Sequence, residues 1–137
     1  PGRGDILSLN KVKIIDDSYN ANPDSVKAAL DYLSCFKKYR KFFVFGDMKE
    51  LGDNEESFHS EIGQYADGKT DILFTIGKLA KNAQSNSNNF ALSLHFNDNF
   101  SLLEKLTELL TDGDIILIKG SRSMQLDQLI DELKNVK

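Results

Sequence analysis

Phe42-Phe43-Val44-Phe45-Gly46 decides the fold. Neighbouring side chains on a strand point to opposite faces, so an unbroken apolar run closed by glycine describes a strand buried on both sides. Two more runs have this character: residues 72–76, closed by Gly77, and 115–118, closed by Lys119-Gly120. Shorter β-like pieces lie at 6–9, 12–15 and 91–96, with Asn10-Lys11 placed to turn a hairpin between the first two. The intervening segments have helical spacing. From 24 to about 39, Val26, Leu30, Leu33 and Phe36 share a face, with Asn22 as N-cap, Pro23 at the first position and Asp24 favouring the helix dipole. Residues 54–66 carry Phe58, Ile62 and Tyr65 on one side, and 78–84 predict a short helix. Ser101 and Glu104 form a capping box ahead of Leu102, Leu103, Leu106, Leu109 and Leu110, and 124–136 turns Leu126, Leu129, Ile130 and Leu133 inward. Strands alternating with helices predict an α/β fold, a Rossmann-like three-layer sandwich with a mostly parallel sheet of about six strands.

Composition bounds the rest. The 137 residues fit one domain, 1–137, and carry 17 Lys plus Arg against 21 Asp plus Glu, a net charge of −4. That charge argues against a nucleic-acid binder. A single cysteine excludes a disulfide framework and a cysteine-based zinc site, and Cys35 reads as a buried side chain on the first helix. No apolar run approaches the roughly 18 residues of a membrane span, so membrane insertion is not expected and the cytoplasm is the default compartment. The chain starts at Pro1 without methionine, as a piece of something longer would.

Parallel sheets bind ligands beyond the carboxyl ends of their strands. Three polar loops fall there: residues 16–23, 46–52 and 119–123. Asp17 is a strand-end carboxylate suited to a ligand. Asp16 fits a ligand or a plain strand end equally well. Asp47 and Glu50 suit bracing of their loop through backbone hydrogen bonds. His59 and His95 have no metal-ligand companions and read as structural.

Two patterns invite other readings. Gly63-Gln64-Tyr65-Ala66-Asp67-Gly68-Lys69-Thr70 matches the phosphate-loop signature, which works only between a strand and a following helix. Here a helix precedes and a strand follows, so Gly68 is read as a helix cap with Lys69 near the negative helix end. A phospho-acceptor receiver module is the rival class. Asp16, Asp17, Asp47 and Lys119 mimic its acidic Mg²⁺ pocket and its lysine. Only one helix separates the acidic pair from Asp47, however, where a receiver has an additional strand.

Taken in order, Asp17-Ser18-Tyr19-Asn20-Ala21-Asn22-Pro23-Asp24-Ser25, Gly46-Asp47-Met48-x-Glu50-Leu51-Gly52 and Lys119-Gly120-Ser121-Arg122-Ser123-Met124 resemble the C-terminal domain of the Mur ligases. Pro1-Gly2-Arg3-Gly4 is similar to the hinge segment into that domain. The D-S-Y-N-A-N-P form resembles the member whose substrates are ATP, UDP-N-acetylmuramoyl-tripeptide and D-alanyl-D-alanine. Lys49 stands where the family usually has an apolar residue, and Asp127 where glutamate is frequent.

The resemblance implies a three-domain enzyme of peptidoglycan synthesis, whose N-terminal and central domains would be this chain's partners. ATP and Mg²⁺ are the implied cofactors, the Mg²⁺ held mainly by the central domain, with no metal ligand in this one. Arg3, Asp17, Tyr19, Asn20 and Asn22 are the implied ATP-binding residues. Lys119, Ser121 and Arg122 are implied to bind the incoming dipeptide, Arg122 suiting its carboxylate. By itself the domain is expected to be catalytically inactive.

Overall fold

The computed structural model describes residues 5–9, 12–17, 21–84 and 89–136. Six strands form one sheet: β1 (Asp5–Leu9), β2 (Val12–Asp17), β3 (Arg40–Gly46), β4 (Ile72–Ile76), β5 (Leu92–Phe96) and β6 (Asp114–Lys119). Their spatial order is β1-β2-β6-β3-β4-β5. All neighbours run parallel except β1, which pairs antiparallel with β2 and closes at Leu9 opposite Val12. The expected turn at Asn10-Lys11 lies outside the described residues.

Among the described residues, five α-helices cover the sheet: α1 (Pro23–Ser34), α2 (Glu55–Ala66), α3 (Lys81–Gln84), α4 (Asn99–Leu109) and α5 (Leu126–Val136). Alternation along each strand sends side chains to two separate cores. Ile15, Phe43, Phe45, Leu73, Ile115 and Leu117 pack against α1, α2 and α3. Ile14, Phe42, Val44, Phe74, Ile116 and Ile118 pack against α4 and α5. The central strands are therefore apolar on both faces, and the three-layer expectation holds.

Local departures have local causes. The helix expected to reach residue 39 stops at Ser34. There Cys35 N–H donates to Tyr32 O and Phe36 N–H to Leu33 O, three-residue steps that tighten and end the last turn. Phe36 still packs, edge-on between Tyr32 and Tyr39, so its helical spacing reflected a folded turn. Cys35, expected to be buried, is exposed because it caps the helix beyond its inward face. The cap of α4 is Asp98, not Ser101: its carboxylate accepts from Ser101 N–H at 2.7 Å and from Ser101 Oγ at 3.2 Å. A carboxylate satisfies both donors and starts the helix three residues earlier than the Ser101–Glu104 pairing predicts. Before α5 the chain makes a 3₁₀ turn, Arg122–Met124, and Gln125 takes φ +56°, so α5 begins at Leu126.

Candidate functional site

Strand register aligns the carboxyl ends. Asp17 sits opposite Lys119, Lys119 opposite Phe45, Phe45 opposite Thr75, and Thr75 opposite His95. This last row spans five strands and faces the α1–α3 side. The carboxyl ends of β2, β3 and β6 thus share one rim, as the three polar segments predicted.

At one end of the row, Lys119 Nζ lies 2.8 Å from Asp17 Oδ2 and 3.3 Å from Ser25 Oγ. Lys119 is 1% exposed, whereas the Asp17 side chain keeps 21% of its surface open. The buried ammonium is compensated by the carboxylate. Ser25 is held in turn by the α1 cap: its N–H donates to Asn22 Oδ1 at 2.9 Å, and Asn22 N–H donates to Ser25 Oγ at 3.1 Å. Asn22 is therefore the N-cap the sequence predicts, with Pro23 at the first helical position.

Asp47 ties the middle of the rim together. Its Oδ1 accepts from Leu79 N–H at 3.0 Å and Ala80 N–H at 2.7 Å, and its backbone carbonyl accepts from Ser121 N–H at 2.8 Å. One residue thereby joins the ends of β3, β4 and β6. Glycines make this approach possible. A Cβ on Gly77 would stand 2.4 Å from Asp47 Oδ1, and Gly77 has φ +105°. A Cβ on Gly120 would stand 2.6 Å from Leu126 Cδ1 and 3.2 Å from the Gly46 Cα. The Asp47 side chain thus bonds the turn after β4 and not the 46–52 loop that it was expected to brace. Glu50 contributes a left-handed backbone, φ +62°, with its side chain exposed. Lys49 is exposed too, its ammonium 3.9 Å from Asp47 Oδ2.

His59 fixes the next turn of that loop. It is fully buried, its ring tilted against Phe45, and Met48 N–H donates to its Nε2 at 2.9 Å. With Nε2 accepting, Nδ1 carries the proton and donates to Glu55 O at 2.6 Å. Only the neutral ring makes both bonds, and burial lowers the imidazole pKa below its ordinary 6.5. Below that ordinary value the unfolded chain takes up a proton that the folded chain refuses. Stability is therefore full above about pH 6.5 and falls as the pH drops towards the depressed folded value. Urea unfolding at pH 7.5 and 5.5 should show an acid-side loss that His59→Gln, which keeps an acceptor for Met48, largely removes. An equal loss in both proteins would assign the acid sensitivity elsewhere.

At the far end of the row, Thr75 Oγ1 and His95 Nδ1 are 2.8 Å apart. Burial foremost, and then nearby Lys81, lower the His95 pKa. Gly77, Lys78, Lys81, His95 and Asn97 line a small cleft there. Sequence reasoning assigned nothing to Ser25, Thr75 or the His59–Met48 bond. The seryl position three residues after Asn22 was the available signal for Ser25.

The remaining expected residues are placed as follows. Ser121 is buried, with its Oγ 2.9 Å from Ser123 Oγ, and Arg122 beside it is exposed. Arg3, Tyr19 and Asn20 lie outside the described residues. Asp16 is buried at the end of β2. The phosphate-loop pattern dissolves as anticipated: Gly63 is inside α2, Gly68 follows the helix with φ +80°, and Lys69 pairs with Asp31 at 3.0 Å.

The family described as Mur ligase, glutamate ligase domain, matches residues 2–122. This chain belongs to the Mur ligase family. Among curated relatives, the UDP-N-acetylmuramoyl-tripeptide–D-alanyl-D-alanine ligase of Bacillus subtilis is 40% identical over 128 residues, covering 89% of this chain and 28% of the relative. The corresponding ligase of Escherichia coli is 34% identical, covering 98% of this chain and 30% of the relative. The chain thus spans under a third of the length of these relatives. The structure of MurF ligase from Thermotoga maritima in complex with ADP superposes with a TM-score of 0.87 at 28% identity, over 99% of this chain and 31% of that one. A bifunctional folylpolyglutamate synthase/dihydrofolate synthase from Yersinia pestis, at 15% identity and TM-score 0.66, shares the fold.

Membership in the Mur ligase family overturns the receiver alternative. The geometry gives the reason: Asp47 spends its Oδ1 on two backbone amides, and Lys119 is committed to Asp17. Among the described residues of this Mur ligase domain, no helix is long and apolar enough to cross a membrane.

Proposed function

We propose that this chain is the C-terminal domain of a three-domain, cytoplasmic ligase that joins D-alanyl-D-alanine to UDP-N-acetylmuramoyl-tripeptide at the expense of ATP. The 40% identity to the Bacillus subtilis enzyme carries the reading. The shared rim of Asp17, Lys119, Asp47 and Ser121 supports it.

In this reading the tripeptide carboxylate attacks the γ-phosphorus of ATP, giving an acyl phosphate and ADP. The dipeptide amine then attacks the acyl carbon, phosphate leaves, and the ammonium proton is lost. Mg²⁺, held mainly by the central domain, would neutralise phosphate charge. The contribution of this domain is positional. Asp17, still partly open, is an acceptor for the ribose hydroxyls, and Asn22, Tyr19 and Asn20 flank the nucleotide. Arg3 would meet the phosphates, a task for which a permanently charged, forked donor is suited. Ser121 and exposed Arg122 face the amine side, with Arg122 taking the dipeptide carboxylate and Lys119 at the base of the same strand end.

The full-length protein, given ATP, UDP-N-acetylmuramoyl-tripeptide and D-alanyl-D-alanine, should release phosphate only when all three are present and yield a product of the corresponding mass. Phosphate release indifferent to the dipeptide would refute the assignment. The isolated 137-residue chain should be inactive and bind ATP only weakly, because most phosphate contacts belong to the absent domains. Micromolar binding in a titration would contradict this.

A further inference from the structure

We infer that Lys119 is a positioning residue for the nucleotide, acting through Asp17, rather than a ligand of the incoming dipeptide; this rests on the ligase reading above. Three observations carry it. Lys119 is 1% exposed, so its ammonium does not reach the open rim where a dipeptide would lie. Its Nζ is 2.8 Å from Asp17 Oδ2 at the end of β2 and 3.3 Å from Ser25 Oγ in the first turn of α1, so it bridges those two elements. Ser25 is itself held by the reciprocal Asn22–Ser25 cap at 2.9 and 3.1 Å.

The chemistry favours this division of labour. A carboxylate that accepts from a ribose diol must be correctly rotated before the nucleotide arrives. A buried ammonium on Oδ2 fixes that rotation and leaves Oδ1 for the ligand. Ser25 completes the seat by anchoring the ammonium to the first turn of α1, so that Asp17, Lys119 and the helix cap move as one body. Through the backbone of β6, the same lysine adjoins Gly120 and Ser121, which joins the nucleotide end of the rim to its amine end.

The test uses the full-length ligase and separate Michaelis constants for ATP and D-alanyl-D-alanine. Lys119→Met should raise the ATP constant about tenfold, the scale of one lost charge-assisted hydrogen bond, and leave the dipeptide constant unchanged. In an Asp17→Asn background, Lys119→Met should add little, because its effect passes through that carboxylate. A rise in the dipeptide constant, or effects that multiply across the two sites, would overturn the inference. Should Lys119→Met fail to fold, Ser25→Ala carries the test. It should raise the ATP constant about threefold without touching the dipeptide constant, and an unchanged ATP constant would overturn the inference. A wild-type enzyme that makes no product would instead refute the ligase reading, so the two failures are distinguishable.

Discussion

Gly63→Ala is expected to destabilise the domain by about 2–4 kcal/mol, or to prevent folding altogether. Gly63 is buried in α2 where that helix crosses α3. A Cβ there would stand 2.0 Å from the Ala83 carbonyl oxygen and 2.7 Å from its carbon. These atoms are backbone, so no side-chain rotation relieves the overlap, and α3 must move away. Alanine improves helix propensity by only about 1 kcal/mol, too little to compensate. The displacement also reaches the rim, because α3 follows directly on the turn whose amides at Leu79 and Ala80 bind Asp47. Urea unfolding of wild type and variant measures the loss. A midpoint within experimental error of wild type would mean that α2 and α3 do not pack as closely as described.

The second large effect is at Asp47. Asp47→Ala removes the acceptor shared by two amides in a site where Asp47 is 4% exposed, leaving Leu79 and Ala80 N–H without that partner. The expected cost is about 2–4 kcal/mol. Asp47→Asn retains a carbonyl oxygen of the same shape and should cost far less, since the Lys49 ammonium is half-exposed and 3.9 Å away. In the full-length ligase, the alanine variant should lose about a hundredfold in kcat/KM and the asparagine variant less than about tenfold, because the requirement is geometric. Equal losses in the two would show that the charge of Asp47, and not its acceptor, matters.

Much of this architecture is legible in the chain because strands buried on both faces leave an unmistakable mark. Phe42–Phe45, the 72–76 run and the 115–118 run each became a central strand, and the glycine or lysine closing each run became the rim. Asn22 was readable because capping chemistry is local. What escaped was tertiary. Helix ends shifted at Phe36 and Ser101 because an aromatic turn and an earlier aspartate competed with the periodic pattern. That Cys35 faces solvent followed from the first of these shifts. Nothing in the order of residues tells that Lys119 turns inward to Asp17, or that His59 receives Met48 N–H across the α2 face. Such pairings depend on register between strands far apart in sequence. The spacing of Asp17 and Lys119 from the ends of their runs hints at it, but only the parallel pairing of β2 and β6 makes them neighbours.

A crystal structure of the full-length ligase with a non-hydrolysable ATP analogue tests the shared rim most directly. The Asp17 carboxylate should lie about 2.5–3.0 Å from a ribose hydroxyl, with Lys119 still on its other oxygen. A nucleotide seated away from the carboxyl ends of β2 and β6 would contradict the account.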